Sequence, residues 1–179
     1  MPRKYHDSNV LVCRSRYREV PKMSISTAIQ TAIDALIRPF EGYHRRLSDG
    51  GCAAYPDPAT KADPWTIGYG TTGPSITPST QWTHDQALAA LRAEATQKAM
   101  GVLKLSPMLA TEPDRRIAAL ISFTYNCGLR NYRISTLRRR VNQRDWPEAA
   151  REIIKWNKAA GRVMAGLTRR RVAESALLQ

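Results

Sequence analysis

The sequence is poor in the residues that build metal centres and disulfide frameworks. It holds three cysteines, Cys13, Cys52 and Cys127, scattered and without a CxxC pair, and three histidines, His6, His44 and His84, without metal-ligand spacing. This excludes a disulfide scaffold and a zinc module, so no cofactor or metal is expected, and free thiols made in a reducing compartment are the plain reading. No apolar run approaches the roughly 20 residues that a membrane-spanning helix needs. The opening 23 residues also lack the roughly 7–15 apolar residues of a secretory leader; their apolar stretch is only Val10-Leu11-Val12-Cys13. Gly and Pro together fill 21 positions, and there is no internal repeat or low-complexity tract. Collagen-like and bulk-disordered chains are thereby excluded. Zinc-finger and RNP motifs are absent and aromatics do not alternate with the basic runs, so no specific nucleic-acid partner is expected.

Acidic residues are also scarce. There are 15 Asp and Glu against 28 Lys and Arg, a net charge of +13 and a pI near 10.2. Such a balance points to an anionic partner, for which nucleic acid, acidic lipid and bacterial cell wall all qualify. A chain of 179 residues suits one domain with a real core. Residues 1–23 read as a basic N-terminal extension, either a disordered arm or a stretch upstream of a start at Met23. Residues 24–179 read as a single domain, expected to be monomeric.

Helical spacing of Ile25, Ile29, Ile33 and Leu36 predicts a helix from about Ser26 to Arg38, capped by Ser24, Ser26 or Thr27 and ended by Pro39. The next 40 or so residues are rich in Gly and Pro, with Tyr, Trp and Thr between them, and read as turns and short strands. From Thr83 the helical pattern returns: Thr83 or Asp85 can cap a helix with Ala87, Leu88, Leu91, Ala95 and Met100 on one face. Asp114 opens an apolar helix that stops at Asn126 or Gly128. Ser135–Val141, Pro147–Trp156 and Thr168–Leu178 read as further helices. Strands gathered in one segment of a helical chain imply an α+β, predominantly helical fold.

Three residues draw attention together rather than singly. Glu41 follows a helix end in Phe40-Glu41-Gly42, Asp57 lies in Ala54-Tyr55-Pro56-Asp57, and Thr66 starts Thr66-Ile67-Gly68-Tyr69-Gly70. Alone, they read as a solvated surface charge, a turn residue and a strand former. In this order they resemble the phage-type lysozymes, or endolysins. The likeness continues through Ser122-Phe123-Thr124-Tyr125-Asn126-Cys127-Gly128, Ser135-Thr136-Leu137, Trp156-Asn157-Lys158-Ala159-Ala160-Gly161 and Gly166-Leu167-Thr168-Arg169-Arg170-Arg171-Val172-Ala173-Glu174, covering about residues 28–178.

The resemblance implies a lysozyme-like fold with an active-site cleft between a small β-containing lobe and a larger helical lobe. It implies hydrolysis of the β-1,4 bond between N-acetylmuramic acid and N-acetylglucosamine in bacterial peptidoglycan. Glu41 would be the general acid, and Asp57 and Thr66 would hold the attacking water. The chemistry suits these groups: one carboxyl must stay protonated while a second group acts on the opposite face of the sugar, and a hydroxyl can both donate to and accept from water. A C-terminal arginine lies near the catalytic Glu in the family, so one of Arg169 to Arg171 is a candidate neighbour of Glu41. Otherwise the runs Arg138-Arg139-Arg140 and Arg169-Arg170-Arg171 read as solvated faces.

The chain departs from the family pattern in three places, one of them the segment between Asp57 and Thr66, which is stretched by Pro58-Ala59-Thr60-Lys61-Ala62-Asp63-Pro64. An insert, Arg45-Arg46-Leu47-Ser48-Asp49-Gly50-Gly51-Cys52, makes Asp49 a rival to Asp57, and Thr71 stands where the family often has His. Cys127 reads as a small core residue, Cys52 as exposed in a Gly-rich loop, and His84 as a surface residue at a helix start. The alternatives are a lytic transglycosylase on a related fold, needing Glu41 alone, and a non-catalytic cationic binder of wall or membrane. The positive charge would add non-specific attraction to anionic wall or outer-membrane material. The expected location is the host cytoplasm, with holin-dependent release to the wall.

Overall fold

The computed structural model describes residues 25–56 and 63–179. The expected N-terminal extension and Asp57 lie outside the described residues. The first helix runs as α1 (Ile25–Thr31), a π-helical stretch (Ala32–Ile37) and α2 (Arg38–Glu41), without a break. Ala28, Ile29, Ala32, Ile33, Leu36 and Ile37 are its buried face. Pro39 does not end it, contrary to the sequence expectation. The wider turns preceding Pro39 let it enter as a first-turn residue of α2, where its missing N–H costs nothing. The helix stops three residues later at Gly42, whose φ of 73° is costly for any residue with a Cβ. That extension decides where Glu41 sits.

Among the described residues, five short strands fall between residues 52 and 82. β1 (Cys52–Ala53) pairs antiparallel with β5 (Gln81–Trp82), and β2 (Tyr55–Pro56), β3 (Trp65–Ile67) and β4 (Thr71–Thr72) form an antiparallel meander with Thr66 opposite both Tyr55 and Thr72. Cys52 is fully buried in β1, not exposed in a loop. The paired strand edge, rather than the neighbouring glycines, sets its environment.

Helix α3 (His84–Leu105) begins at Thr83, which accepts from the Gln86 backbone N–H while the Gln86 side chain accepts from the Thr83 backbone N–H. Replacing a capping residue of this kind by Ala costs about 1 kcal/mol. Thr83→Ala is expected to lower unfolding stability by that amount in urea titration and to leave glycan cleavage unchanged. The buried stripe is Ala87, Leu91, Ala95, Ala99 and Val102. Met100 is 59% exposed, because five residues after Ala95 the helix has turned it off the stripe. A 3-10 turn (Pro107–Thr111) leads to α4 (Asp114–Cys127), which packs against α1, α3 and α8 and is buried without a break from Ile117 to Thr124. It is the centre of the core.

After Gly128 the chain forms α5 (Leu129–Ile134), which the periodicity did not predict, then α6 (Thr136–Asn142) capped by Ser135, and α7 (Trp146–Ile154) capped by Asp145. The helix ends at Ile154, two residues short of the expected Trp156, and residues 155–164 are not helical. They form a hairpin of β6 (Lys158–Ala159) and β7 (Arg162–Val163). Ala160 and Gly161 both have positive φ, 47° and 76°, as tight two-residue hairpin turns require. α8 (Ala165–Leu178) starts three residues before the expected Thr168. The arrangement is α+β and mostly helical, as the segment order implied. No described helix is long and apolar enough to cross a membrane.

Candidate active site

Glu41 is the last residue of α2 and is held between the helical body and the β section. Its Oε1 accepts from Arg170 Nη1 at 2.5 Å, and its backbone carbonyl lies 3.1 Å from His44 Nε2. On the other side it faces the β3–β4 turn: a Cβ placed on Gly70 would sit 3.7 Å from Glu41 Oε2. The turn is tied back to α4 by Tyr125, whose hydroxyl donates to the Tyr69 carbonyl at 3.0 Å. Tyr43 stacks on Tyr69 with ring centroids 5.1 Å apart, and the Arg38 guanidinium lies 5.8 Å from the Tyr69 ring centroid. Burial pushes the Tyr125 phenol up, with the carboxylates of Glu94 and Glu41 adding to the effect. Burial and then the Glu41 charge do the same to Tyr55.

Thr66 stands half-buried in the middle of the meander. Tyr55, directly opposite it, shares its face of the sheet. Asp49 is committed elsewhere: its Oδ1 accepts from the Gly51 backbone N–H at 2.9 Å, the bond of a local turn. Thr71 Oγ1 is buried with no hydrogen-bond partner among the described residues.

The arginine run on α8 is not the solvated face expected, and of its three residues Arg170 is the neighbour of Glu41. Arg169 is exposed, but Arg170 is only 3% exposed and Arg171 is fully buried. Two fully buried groups hold them, Glu174 one turn along α8 and Ser122 on α4. Arg170 Nε donates to Glu174 Oε1 at 3.2 Å, and Arg170 Nη2 donates to the Ser122 carbonyl at 3.2 Å. Ser122 Oγ donates to Glu174 Oε1 at 2.6 Å. Arg171 Nη2 donates to Glu174 Oε1 at 3.2 Å and to Asn126 Oδ1 at 3.0 Å, and Nη1 points at Cys127 Sγ at 3.2 Å. Arg171 Nε lies 3.1 Å from Glu174 Oε2, yet neither atom makes a hydrogen bond, so they attract through charge alone. Burial pushes the Glu174 carboxyl up, and the two guanidinium groups and the serine hydroxyl pull against it.

Sequence reasoning did not single out Glu174 or Ser122 for the site. The signal for Glu174 was present, since an acid three and four residues after two arginines shares their helix face. Nothing in sequence distinguishes Ser122. Cys127 is half-buried against the core, and burial raises its thiol. His84 is at the surface at the start of α3, with Nε2 3.5 Å from the Tyr69 hydroxyl. Among the described residues, no group of three or more His, Cys, Asp or Glu could hold a metal ion.

A carboxyl at a helix end, clamped between an arginine-bearing helical body and a small antiparallel sheet, defines the lysozyme-like class of folds. A solved structure of that class, the muramidase domain of SpmX from Asticaccaulis excentricus, superposes with a TM-score of 0.66 at 28% identity over 85% of this chain and 94% of that one. The phage lysozyme family model matches residues 47–174, and the chain belongs to that family. It is 35% identical over 146 residues to the endolysin of Bacillus phage B103, covering 79% of this chain and 50% of that protein. It is 34% identical over 110 residues to the SAR-endolysin of bacteriophage PS119, covering 61% of this chain and 64% of that one. The chain thus spans about half the length of the Bacillus phage relative.

Proposed function

We propose that this protein is an endolysin: a muramidase that hydrolyses the β-1,4 bond between N-acetylmuramic acid and N-acetylglucosamine in peptidoglycan and so lyses the host. The observation that carries the reading is the seating of Glu41 against Arg170 on one side and Gly70 of the β section on the other. Glu41 is the general acid that protonates the leaving glycosidic oxygen. Asp57 and Thr66 hold the water on the opposite face of the sugar, which gives inversion. Residues 24–179 act as one catalytic domain and as a monomer. The net charge of +13 concentrates the enzyme on anionic wall and outer-membrane material, an attraction that added salt weakens.

Digestion of purified peptidoglycan with mass spectrometry of the released sugars tests the reading. Products carrying one added water support hydrolysis. Anhydro products would replace it with transglycosylation, and no products at all would leave wall binding or membrane disruption. Asp57→Asn is expected to lower the initial rate by about 10²-fold, the scale for a misplaced reactant. Asp49→Asn is expected to stay near wild type, because an amide oxygen still accepts from Gly51. The reverse ranking would transfer the water-holding role to Asp49.

The proposed route is accumulation in the host cytoplasm, with access to the wall through a separate pore-former. Fractionation of host cells expressing the protein alone checks this. Wall damage without the pore-former would point instead to export, in keeping with the name of the SAR-endolysin relative.

A further inference from the structure

Residues 115–144 hold eight arginines and no aspartate or glutamate. Three of the eight reach acids outside this stretch: Arg116 and Arg144 pair with Glu112, and Arg140 pairs with Asp145. Arg133, Arg138 and Arg139 reach no acid among the described residues. The step from α5 to α6 brings these three together. With Ile134, Asn142 and Gln143 they line an open concavity of about 490 Å³. The run Arg138-Arg139-Arg140 is thereby split: its last member is neutralised, and its first two join Arg133 from the helix before.

Two features set this cluster apart from ordinary solvated charge. Arg138 is half-buried, and its Nε is withdrawn from water with no hydrogen-bond partner among the described residues. A guanidinium that has lost part of its hydration without finding an acid gains more from an arriving anion than a fully hydrated one does. Arg139 is steadied along α6, where its Nη2 donates to Thr136 Oγ1 at 3.2 Å. The second feature is Ile134, which lies beside Arg133 and is 72% exposed. Cations next to an exposed apolar side chain suit an anionic bilayer: the cations meet phosphates and the apolar group enters the acyl boundary. Other polyanions fit less well. Single-stranded nucleic acid is held by aromatic side chains on which bases stack, and the one aromatic of α5 and α6, Tyr132, is fully buried. A soluble polyphosphate has nothing apolar to receive Ile134.

We propose that the α5–α6 face is a docking surface for anionic phospholipid: Arg133, Arg138 and Arg139 take headgroup phosphates and Ile134 inserts beside them, so that the domain lies on the membrane surface. None of these residues takes part in the Glu41 site, so the docking surface does not depend on the muramidase reading. An arginine near such a surface strengthens binding about fivefold, so the three together supply about 10²-fold.

The test is sedimentation with vesicles of equal parts phosphatidylglycerol and phosphatidylcholine, and with phosphatidylcholine alone, at one physiological salt concentration. Wild type is expected on the mixed vesicles and not on phosphatidylcholine. The combined variant Arg133→Gln, Arg138→Gln and Arg139→Gln should bind about 10²-fold more weakly. A charge-matched control, Arg92→Gln, Arg151→Gln and Arg162→Gln, changes exposed arginines of α3, α7 and β7. It should lose far less, because charges farther than about 8 Å from the lipid are screened. Ile134→Asn should weaken binding about tenfold. Thermal melts establish that each protein is folded. If the combined variant does not fold, Arg133→Gln with Arg139→Gln, both exposed, decides: a loss of about 25-fold supports the proposal and no loss overturns it. No binding of wild type to the mixed vesicles overturns it. Equal losses in the two combined variants also overturn it, since the attraction would then belong to net charge. Binding that Ile134→Asn leaves unchanged overturns the lipid assignment and reduces the face to a general phosphate site. Soluble glycan fragments should be cleaved by the combined variant as by wild type. A wild type that binds the mixed vesicles but cleaves no glycan would overturn the muramidase reading and leave the docking surface standing.

Discussion

Glu41→Gln is expected to lower the release of reducing sugar ends from peptidoglycan by about 10³-fold or more while the protein stays folded. A positioned general acid contributes about 10²–10⁴-fold, and no other described carboxyl is placed to take over. Glu174 is fully buried behind Arg170, and Asp49 is bound into its turn. The amide keeps one oxygen that can accept from Arg170 Nη1, so the contact with α8 survives. The melting temperature should move by no more than a few degrees, the scale of about 1 kcal/mol in a domain of this size. Mass spectrometry of the digest and a thermal melt on the same sample separate loss of chemistry from loss of fold. Near-wild-type activity in the folded variant would remove Glu41 from the acid role. Cleavage surviving only at acidic pH would indicate that another carboxyl donates the proton.

The elements legible in the sequence are those specified by neighbours along the chain. Thr83 with Gln86 three residues later forms a capping box, and Asp114 followed by an apolar run ending at Gly128 forms a helix with both ends marked. The order of Glu41, Ala-Tyr-x-Asp and Thr66-Ile67-Gly68-Tyr69-Gly70 was legible for the same reason. What was not legible depends on partners far away in sequence. The family resemblance offered Arg169 to Arg171 as neighbours of Glu41, but which of the three it is depends on α4 and α8, which bring Arg170 to Ser122, 48 residues away, and to Glu41, 129 residues away. Cys52 is buried by pairing with Trp82 across the sheet, not by anything beside it in the chain. Pro39 misleads because the rule that ends helices at proline assumes an ordinary α-helical turn before it, and here that turn is a π-helix. Helix α5 is short and mostly exposed, with Tyr132 its buried residue, so it leaves almost no periodic trace.

Arg170→Met should be the most destabilising of these substitutions, and its cost should depend on pH. The methionine can refill much of the volume beside Phe40, so the loss is mainly electrostatic. Glu174 keeps Arg171 and Ser122 but loses one of its two guanidinium partners inside the protein. Breaking a buried pair from one side costs about 3–5 kcal/mol, and the partners that remain place this case near the lower end. Burial already pushes the Glu174 carboxyl upward, and with one guanidinium gone less opposes it. A carboxyl whose folded value lies above its unfolded value binds protons more tightly in the native state. Its contribution to stability is then fully present below the unfolded value and is lost as pH rises through the folded one. The deficit of Arg170→Met relative to wild type should therefore be small at acid pH, near the ordinary carboxylate range, and grow as pH rises above it, which urea unfolding of both proteins at a series of pH values would show. A deficit that does not change with pH would place the loss in packing around Phe40. Glu174 would then be held protonated or otherwise neutral in the native protein, and Arg170 would be anchored by shape and by Ser122 rather than by charge.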